Sequence, residues 1–337
     1  MFQVIRLLLP IVAAALILFG CNQNNLPSET NQNGFYIERR APPAVISRIA
    51  FGSCNKQEKP QPLWSTIISN KPDLWIWLGD NIYADTKNMK DMQRKYQLQK
   101  SNKDYQTLLQ STYAIGIWDD HDYGENNRGK EYSKKAESQQ LFLDFLDEPE
   151  NSPRRRQEGV YTAYNYGSGL NQVKVILLDV RYHKDAPGTD SDILGDKQWQ
   201  WLENQLKTSK AAINLIASGI QIIPDQHKYE KWASFPQARK RLFDLIQNTK
   251  VPGVILLSGD RHFAEISKIK LGNGYPLYEV TSSGLTHSWD NLDQEHNQYR
   301  QGNFFKSLNF GTIEIDWNSK PVKLKLQVRD RHNQIQL

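Results

Sequence analysis

Leu74-Trp75-Ile76-Trp77-Leu78-Gly79-Asp80-Asn81-Ile82-Tyr83 is the stretch from which the fold is read. A β-prone apolar run stops at a glycine, and a carboxylate follows at once. An unbroken run of that length fits a strand buried on both faces. The form recurs along the chain. Residues 45–51 run into Gly52-Ser53-Cys54-Asn55, residues 113–118 into Asp119-Asp120-His121-Asp122, and residues 173–178 into Asp179-Val180-Arg181-Tyr182. Residues 213–217 then meet Ser218-Gly219-Ile220-Gln221, and residues 254–257 meet Ser258-Gly259-Asp260-Arg261-His262.

Helical patterns separate these runs. Trp199, Leu202 and Leu206 share one face after Gly195-Asp196, and Leu242, Leu245 and Ile246 do so after Pro236, a residue suited to a first helical turn. Residues 88–110 and 134–146 also read as helical. Strands joined by helical crossovers predict an α/β sheet whose ligands bind beyond the carboxyl ends of the strands, where all six polar clusters would fall. Residues 311–317 and 321–328 alternate more and predict an antiparallel pair. Neither an internal repeat nor a second domain boundary is visible.

The composition is that of a globular protein: 23% of the 337 residues are charged and 39% hydrophobic, with 9 Trp and 15 Tyr to supply core bulk. A net charge of +5 is too small a bias to argue for a nucleic-acid-binding module, and suits anionic substrates or lipid surfaces as well as an ordinary solvated surface.

The N-terminus predicts export. Arg6 precedes an uncharged run over residues 7–19 that has the length of a signal-peptide core rather than a membrane span. It ends in Leu18-Phe19-Gly20-Cys21, which resembles a bacterial lipoprotein cleavage site with Cys21 as the lipidated residue. Residues 1–20 then form the signal peptide, 21–43 a flexible Asn-, Gln-, Ser- and Pro-rich tether, and 44–337 a single catalytic domain. The expected location is the bacterial cell envelope, lipid-anchored on its periplasmic or extracellular face. No arginine pair precedes the apolar run, so the twin-arginine route is not indicated. With Cys21 lipidated, Cys54 has no disulfide partner, and metal ligation is one explanation for an unpaired thiol in an exported protein.

The polar clusters carry the chemistry. Asp80 follows a glycine that lets the chain turn sharply, and its two oxygens can bridge two cations. Asp260 and His262 stand two apart, which in extended chain puts both on one side, facing a common pocket. Asp119, Asp120 and Asp122 would repel one another unless solvated, protonated or gathered around cations. His121 among them can give a proton to a leaving alcohol or hold a phosphoryl oxygen. Asn126 and Asn127 offer amide oxygens to a hard cation. A thiolate (Cys54) with a phenolate (Tyr83), an imidazole (His262) and a carboxylate is a mixed soft and hard set, better suited to iron than to magnesium.

The series GSCN, GDNIY, WDDHDYGENN, LDVRY, SGIQ, GDRHFAEI and YEVTSSGLTHSW, together with the segments at residues 194–206 and 232–242, resembles the PhoD-like alkaline phosphatase and phosphodiesterase family, across residues 47–289. That resemblance implies a four-layer αββα metallophosphoesterase-like core, with two sheets sandwiched between helices. It implies ferric iron held by Cys54, Asp80, Tyr83 and His262, calcium served by Asp120, Asn126 and Asp260, and Asp80 bridging; another divalent metal is an alternative. Arg181 reads either as a phosphate clamp or as half of a structural salt bridge. The chain departs from familiar members in two ways: the N-terminal region is too short for an extra β-domain, and the signal is of the lipoprotein kind.

The expected function is hydrolysis of phosphate mono- or diesters by a metal-bound hydroxide at a multinuclear site, without a phosphoenzyme. Phospholipid or a cell-envelope polymer would be a substrate within reach of a lipid anchor. The rivals are a non-catalytic surface lipoprotein that binds through the same cleft, and a metal-dependent hydrolase of another ester class. A serine hydrolase is disfavoured, since the chain lacks a Gly-x-Ser-x-Gly elbow.

Overall fold

The computed structural model describes residues 40–289 and 295–337. The expected leader, Cys21 and nearly all of the expected tether lie outside the described residues. The described residues fall within one compact unit.

The chain runs β1 (Arg48–Gly52), α1 (Leu63–Ser69), β2 (Leu74–Leu78), α2 (Met89–Lys100), α3 (Lys103–Ser111), β3 (Tyr113–Ile117), α4 (Asp120–Tyr123) and α5 (Lys135–Phe145). It continues with β4 (Thr162–Tyr166), β5 (Val173–Leu177), α6 (Asp196–Lys207), β6 (Ile213–Ser218), α7 (Pro236–Thr249) and β7 (Val254–Ser258). The last strands are β8 (Ala264–Lys270), β9 (Pro276–Ser282), β10 (Asn309–Asp316) and β11 (Lys323–Asp330).

The strands make two mixed sheets, β11-β10-β1-β2-β3 and β4-β5-β6-β7-β9-β8. In the first, β1, β2 and β3 are parallel, and β10 closes antiparallel on β1. In the second, β5, β6, β7 and β9 are parallel, with β4 and β8 antiparallel at the edges. The expected late hairpin is present, with Ile313 opposite Leu326.

Side-chain alternation on the strands explains the layers. In β2, Leu74, Ile76 and Leu78 join Val175, Leu177, Leu215 and Leu257 in a core between the sheets. Trp75 and Trp77 point the other way, onto Trp64 of α1, Tyr105 and Leu108 of α3, and Phe142 of α5. On the far side Ile176, Ile216 and Leu256 pack against Trp199 and Leu202 of α6 and Leu242 and Ile246 of α7. The result is the expected α/β fold in four αββα layers.

Two details differ from the sequence reading. Residues 88–110 form two helices, because Asn102 leaves helical geometry and its side chain accepts the Tyr105 N–H at 3.0 Å, capping α3. The first strand starts at Arg48, since the Ser47 and Arg48 amides turn to the Asp73 carboxylate at 2.8 and 3.0 Å. Among the described residues no helix is long and apolar enough to cross a membrane.

Candidate metal centre

The polar clusters lie at the carboxyl ends of parallel strands from both sheets, where the loops meet. Cys54 follows β1, Asp80 follows β2, and Asp260 and His262 follow β7. All four have left-handed backbone, with φ of 63°, 49°, 70° and 55°. Non-glycine residues there cost roughly 1–3 kcal/mol each, and such strain collects at functional sites. Asp260 and His262 are therefore aimed by positive φ, not by the extended alternation expected from their spacing. Glycines let the loops close on one another: a Cβ on Gly79 (φ 95°) would lie 2.4 Å from Asp119 Cβ, and one on Gly259 would lie 2.5 Å from Ser53 Oγ.

Ligand atoms converge accordingly. Cys54, Asp80 and His262 can offer Sγ, carboxylate oxygen and ring nitrogen all within 4.8 Å of one another. Asp80, Asp119, Asp120 and Asp260 meet the same limit, as do Asp80, Asp120 and His121. Asp80 belongs to all three groups. Its Oδ2 lies 3.3 Å from Cys54 Sγ and 3.4 Å from the Tyr83 hydroxyl. That hydroxyl stands 3.0 Å from His262 Nε2 and 3.1 Å from His287 Nε2. Asp122 is a scaffold: its carboxylate accepts the Asp119 N–H at 2.7 Å, the Asp80 N–H at 3.1 Å and the Asn81 side-chain amide at 2.6 Å.

Burial, only partly offset by Arg181 and His121, shapes the electrostatics. Desolvation pushes the Asp80 carboxyl well above the carboxylate range and Asp260 to about 7; burial pushes Asp119 the same way, while its ion pair with Arg181 favours the charged form. It also pushes the Cys54 thiol to about 11 and lowers His262 to about 4. For Asp120 burial works upward too, but Arg181, His121 and the Asn127 amide (2.7 Å) hold it below its ordinary value. His121 is opposed by burial yet raised to about 10 by Asp80 and by Asp85, 2.6 Å from Nδ1.

A set of buried acids, a thiol and a phenol that resist ionisation is stabilised by cations. Two buried atoms, Asp119 Oδ2 and His262 Nδ1, have no hydrogen-bond partner among the described residues. The thiol, phenol, imidazole and carboxylates together fit a polynuclear metal centre with a soft and a hard side.

Of the residues expected from sequence, Cys54, Asp80, Tyr83, Asp120, His121, Asp260 and His262 come together here. Asn126 is exposed, and it is the backbone N–H of its neighbour Asn127 that reaches Asp120. Arg181, read from sequence as a phosphate clamp or half of a salt bridge, sits in a buried ion pair. Its side chain is 0% exposed, its Nε donates to Asp119 Oδ1 at 2.6 Å, and its Nη1 lies 2.5 Å from Glu230 Oε2. The salt bridge is therefore present, while Nη2 has no hydrogen-bond partner among the described residues. Asp119 and His287 were not singled out as site residues from sequence. Asp119 stood inside the quoted acidic run; His287 carried no signal beyond its place in the Thr-Ser-Ser-Gly-Leu-Thr-His-Ser-Trp segment.

Two mixed sheets between helices, with acids, imidazoles and a thiol gathered at the strand ends, define a metallophosphoesterase-like fold with a candidate metal centre. Residues 49–326 match the PhoD-like phosphatase family, and the chain belongs to it. It is 24% identical over 302 residues to alkaline phosphatase D of Bacillus subtilis (strain 168), a match covering 73% of this chain and 50% of that protein. The chain thus spans about half the length of that curated relative. Its fold is similar to the solved structure of PhoD, with a TM-score of 0.68 at 19% identity, covering 89% of this chain and 73% of that one. It is also similar to a dimetal phosphatase from Danio rerio, with a TM-score of 0.51 at 11% identity, covering 80% of this chain and 93% of that one.

Proposed function

We propose that this chain is a metal-dependent phosphoric ester hydrolase acting on phosphate mono- or diesters. The observation that carries the reading is the convergence of Cys54, Asp80, Asp119, Asp120, Asp260 and His262 around one centre. On the soft side Cys54, Tyr83 and His262, with Asp80, suit ferric iron; on the hard side Asp80, Asp120 and Asp260 suit calcium. Bound there, such cations supply Lewis acidity, neutralising phosphoryl oxygen charge and lowering the pKa of water from about 15.7 to about 7.

The protein's own groups supply the rest. Asp85 holds the His121 ring through Nδ1 at 2.6 Å, which orients the imidazole and leaves Nε2 to serve the departing alcohol oxygen as proton donor when the ring is protonated. Cys54 is fully buried, with Sγ 3.1 Å from Ser283 Oγ and 3.3 Å from Asp80 Oδ2 inside the ligand set, so it is assigned as a ligand and not as a nucleophile. Direct in-line attack by water is therefore the step proposed, and trapping a covalent phosphoryl adduct would defeat it.

Removing the metals tests the reading. Dialysis against a chelator is expected to lower the turnover of a nitrophenyl phosphodiester at least about 100-fold, with recovery on returning metal. Elemental analysis is expected to find iron, and Tyr83→Phe to lose any phenolate-to-iron visible absorption. A metal-free preparation with full activity would sink the proposal.

Export and lipidation at Cys21 are also proposed, on the uncharged run at residues 7–19 and the Leu-Phe-Gly-Cys sequence that ends it. Cys21→Ala is expected to move the protein from the membrane fraction to the soluble one. Its remaining membrane-bound and unlipidated in both forms would rule the anchor out.

A further inference from the structure

Next to the metal centre, and sharing His287 with it, is a groove of about 610 Å³ walled by Lys59, Thr286, His287, Phe305, Leu308 and Arg331. His287 joins the two spaces. Its Nε2 is 3.1 Å from the Tyr83 hydroxyl, and its Nδ1 is 3.1 Å from Thr286 Oγ1. Thr286 in turn lies 3.3 Å from the Cys54 carbonyl oxygen, to which its hydroxyl donates, so the wall is tied to the loop that presents the thiol. A substrate whose phosphoryl group sits at the centre can extend past this imidazole into the groove.

The charge of the groove says what kind of substrate that is. Lys59 and Arg331 are exposed, and neither forms an ion pair among the described residues. Lys56, at the rim of the centre with its Nζ 4.8 Å from the Tyr83 ring, has no acidic partner there either. Cations elsewhere on the surface commonly have one: Arg94 pairs with Asp91, Lys240 with Asp244, Lys197 with Glu158. The acid in the groove, Asp330, is committed to its own turn. It accepts the N–H groups of His332 and Gln334 at 2.8 and 2.9 Å and the Gln336 side-chain amide at 2.8 Å. Unpaired cations beside a low-dielectric wall raise the local concentration of anions. Phe305 and Leu308 add an apolar surface for the carbon chain of a ligand.

We propose that this groove is a subsite for a second anionic group of the substrate, a phosphate or carboxylate carried several bonds from the scissile phosphoryl group. The proposal rests on the phosphoesterase reading and narrows it: the preferred ester is a diester whose organic arm bears its own negative charge. Lys59 and Arg331 bind that charge, and His287 separates it from the reacting phosphorus.

The test uses the full chain with its metals and the double variant Lys59→Gln/Arg331→Gln, which leaves the metal centre untouched. Two nitrophenyl phosphodiesters are compared, one with a neutral propyl arm and one with a 3-phosphonopropyl arm that cannot itself be hydrolysed. The wild type is expected to prefer the charged diester by about tenfold in kcat/KM, the scale of about two modest charge contacts. The double variant is expected to lose that preference through KM, while the neutral diester stays within about twofold. Raised salt is expected to erode the wild-type preference in the same way. A wild type with no preference, a preference unchanged in the variant, or equal losses on both substrates each overturn the subsite. A wild type that hydrolyses neither diester but does hydrolyse nitrophenyl phosphate overturns the subsite alone, whereas one that hydrolyses none of the three removes the phosphoesterase reading with it.

Discussion

Asp80→Asn is expected to lower kcat/KM for a phosphodiester at least about 10³-fold while leaving a folded protein, a loss on the scale of removing one main electrostatic group from an active centre. The size follows from position. Asp80 is the one acid common to the thiol–imidazole group and to both acidic groups, so the soft and hard sides of the centre meet on its carboxylate. An asparagine keeps the shape but has one oxygen and no charge, and cannot bridge two cations. Its backbone should hold, since the Asp80 N–H is fixed by Asp122 Oδ1 at 3.1 Å whatever the side chain.

Stability in chelator is expected to move the other way. Burial raises the folded-state pKa of Asp80 well above its ordinary value. The folded protein therefore binds this proton more tightly than the unfolded chain. Stability from this group is full at low pH and is lost as pH rises past the unfolded value, about 3.8, toward the folded one. Metal-free Asp80→Asn lacks this penalty, so its Tm should exceed that of the metal-free wild type, and by more at pH 8 than at pH 5. Adding metal should reverse the order, because binding to the native state stabilises the wild type by mass action. Calorimetry with and without chelator at both pH values measures this. A variant that keeps wild-type turnover, or unfolds in metal and chelator alike, would refute the role given to Asp80.

The layers of this fold were legible because burial on both sides of a strand writes itself as an unbroken apolar run. Leu74 to Leu78 is buried at every position, and so are β5 and β7. The edge strand β4 has no such signature: among Thr162, Ala163, Tyr164, Asn165 and Tyr166 only the last is buried, and the element went unread. β8 and β9 were missed for a related reason, since Lys268, Lys270 and Pro276 dilute the pattern where the strands reach the surface. For the site, residue chemistry singled out the candidate donors that the fold brings together, because a thiol, a phenol and acids at strand ends have few other joint uses. What the chain order hides is partnership. Tyr83 and His262 are 179 residues apart, and only the folded loops bring hydroxyl and imidazole to 3.0 Å. Arg181 illustrates the limit: its motif is compatible with a clamp or a salt bridge, and only its surroundings decide.

Those surroundings predict the second large effect. Arg181→Met is expected to destabilise the protein by about 3–5 kcal/mol, the cost of stranding a buried charge whose partner is removed. The stranded group is Asp119, 0% exposed, with Arg181 Nε at 2.6 Å from its Oδ1 and with its other oxygen already unpartnered. Glu230 is less affected, because Lys184 lies 2.7 Å from its Oε1 and remains. At roughly 2.1 cal/mol/K of unfolding entropy per residue over roughly 300 residues, that cost corresponds to a Tm lower by about 5–8 °C. Arg181→Lys should rescue little, since an ammonium cannot reproduce the planar fork that reaches both Asp119 and Glu230. Asp119→Asn combined with Arg181→Met should recover part of the loss by removing the stranded charge, and that non-additivity is the signature of a structural pair. Activity should also fall, by a route that runs through position. Lys184 donates to the Asn127 carbonyl oxygen at 3.0 Å, and the Asn127 N–H donates to Asp120 Oδ2, so the ion-pair network ends on a carboxylate of the centre. Thermal unfolding of the three variants, with KM measured on the folded protein, separates the alternatives. An unchanged Tm with a steep rise in KM would restore Arg181 as a substrate clamp, whereas a lower Tm that the double variant partly regains fixes it as the buried counter-ion that holds the acidic side of the centre in place.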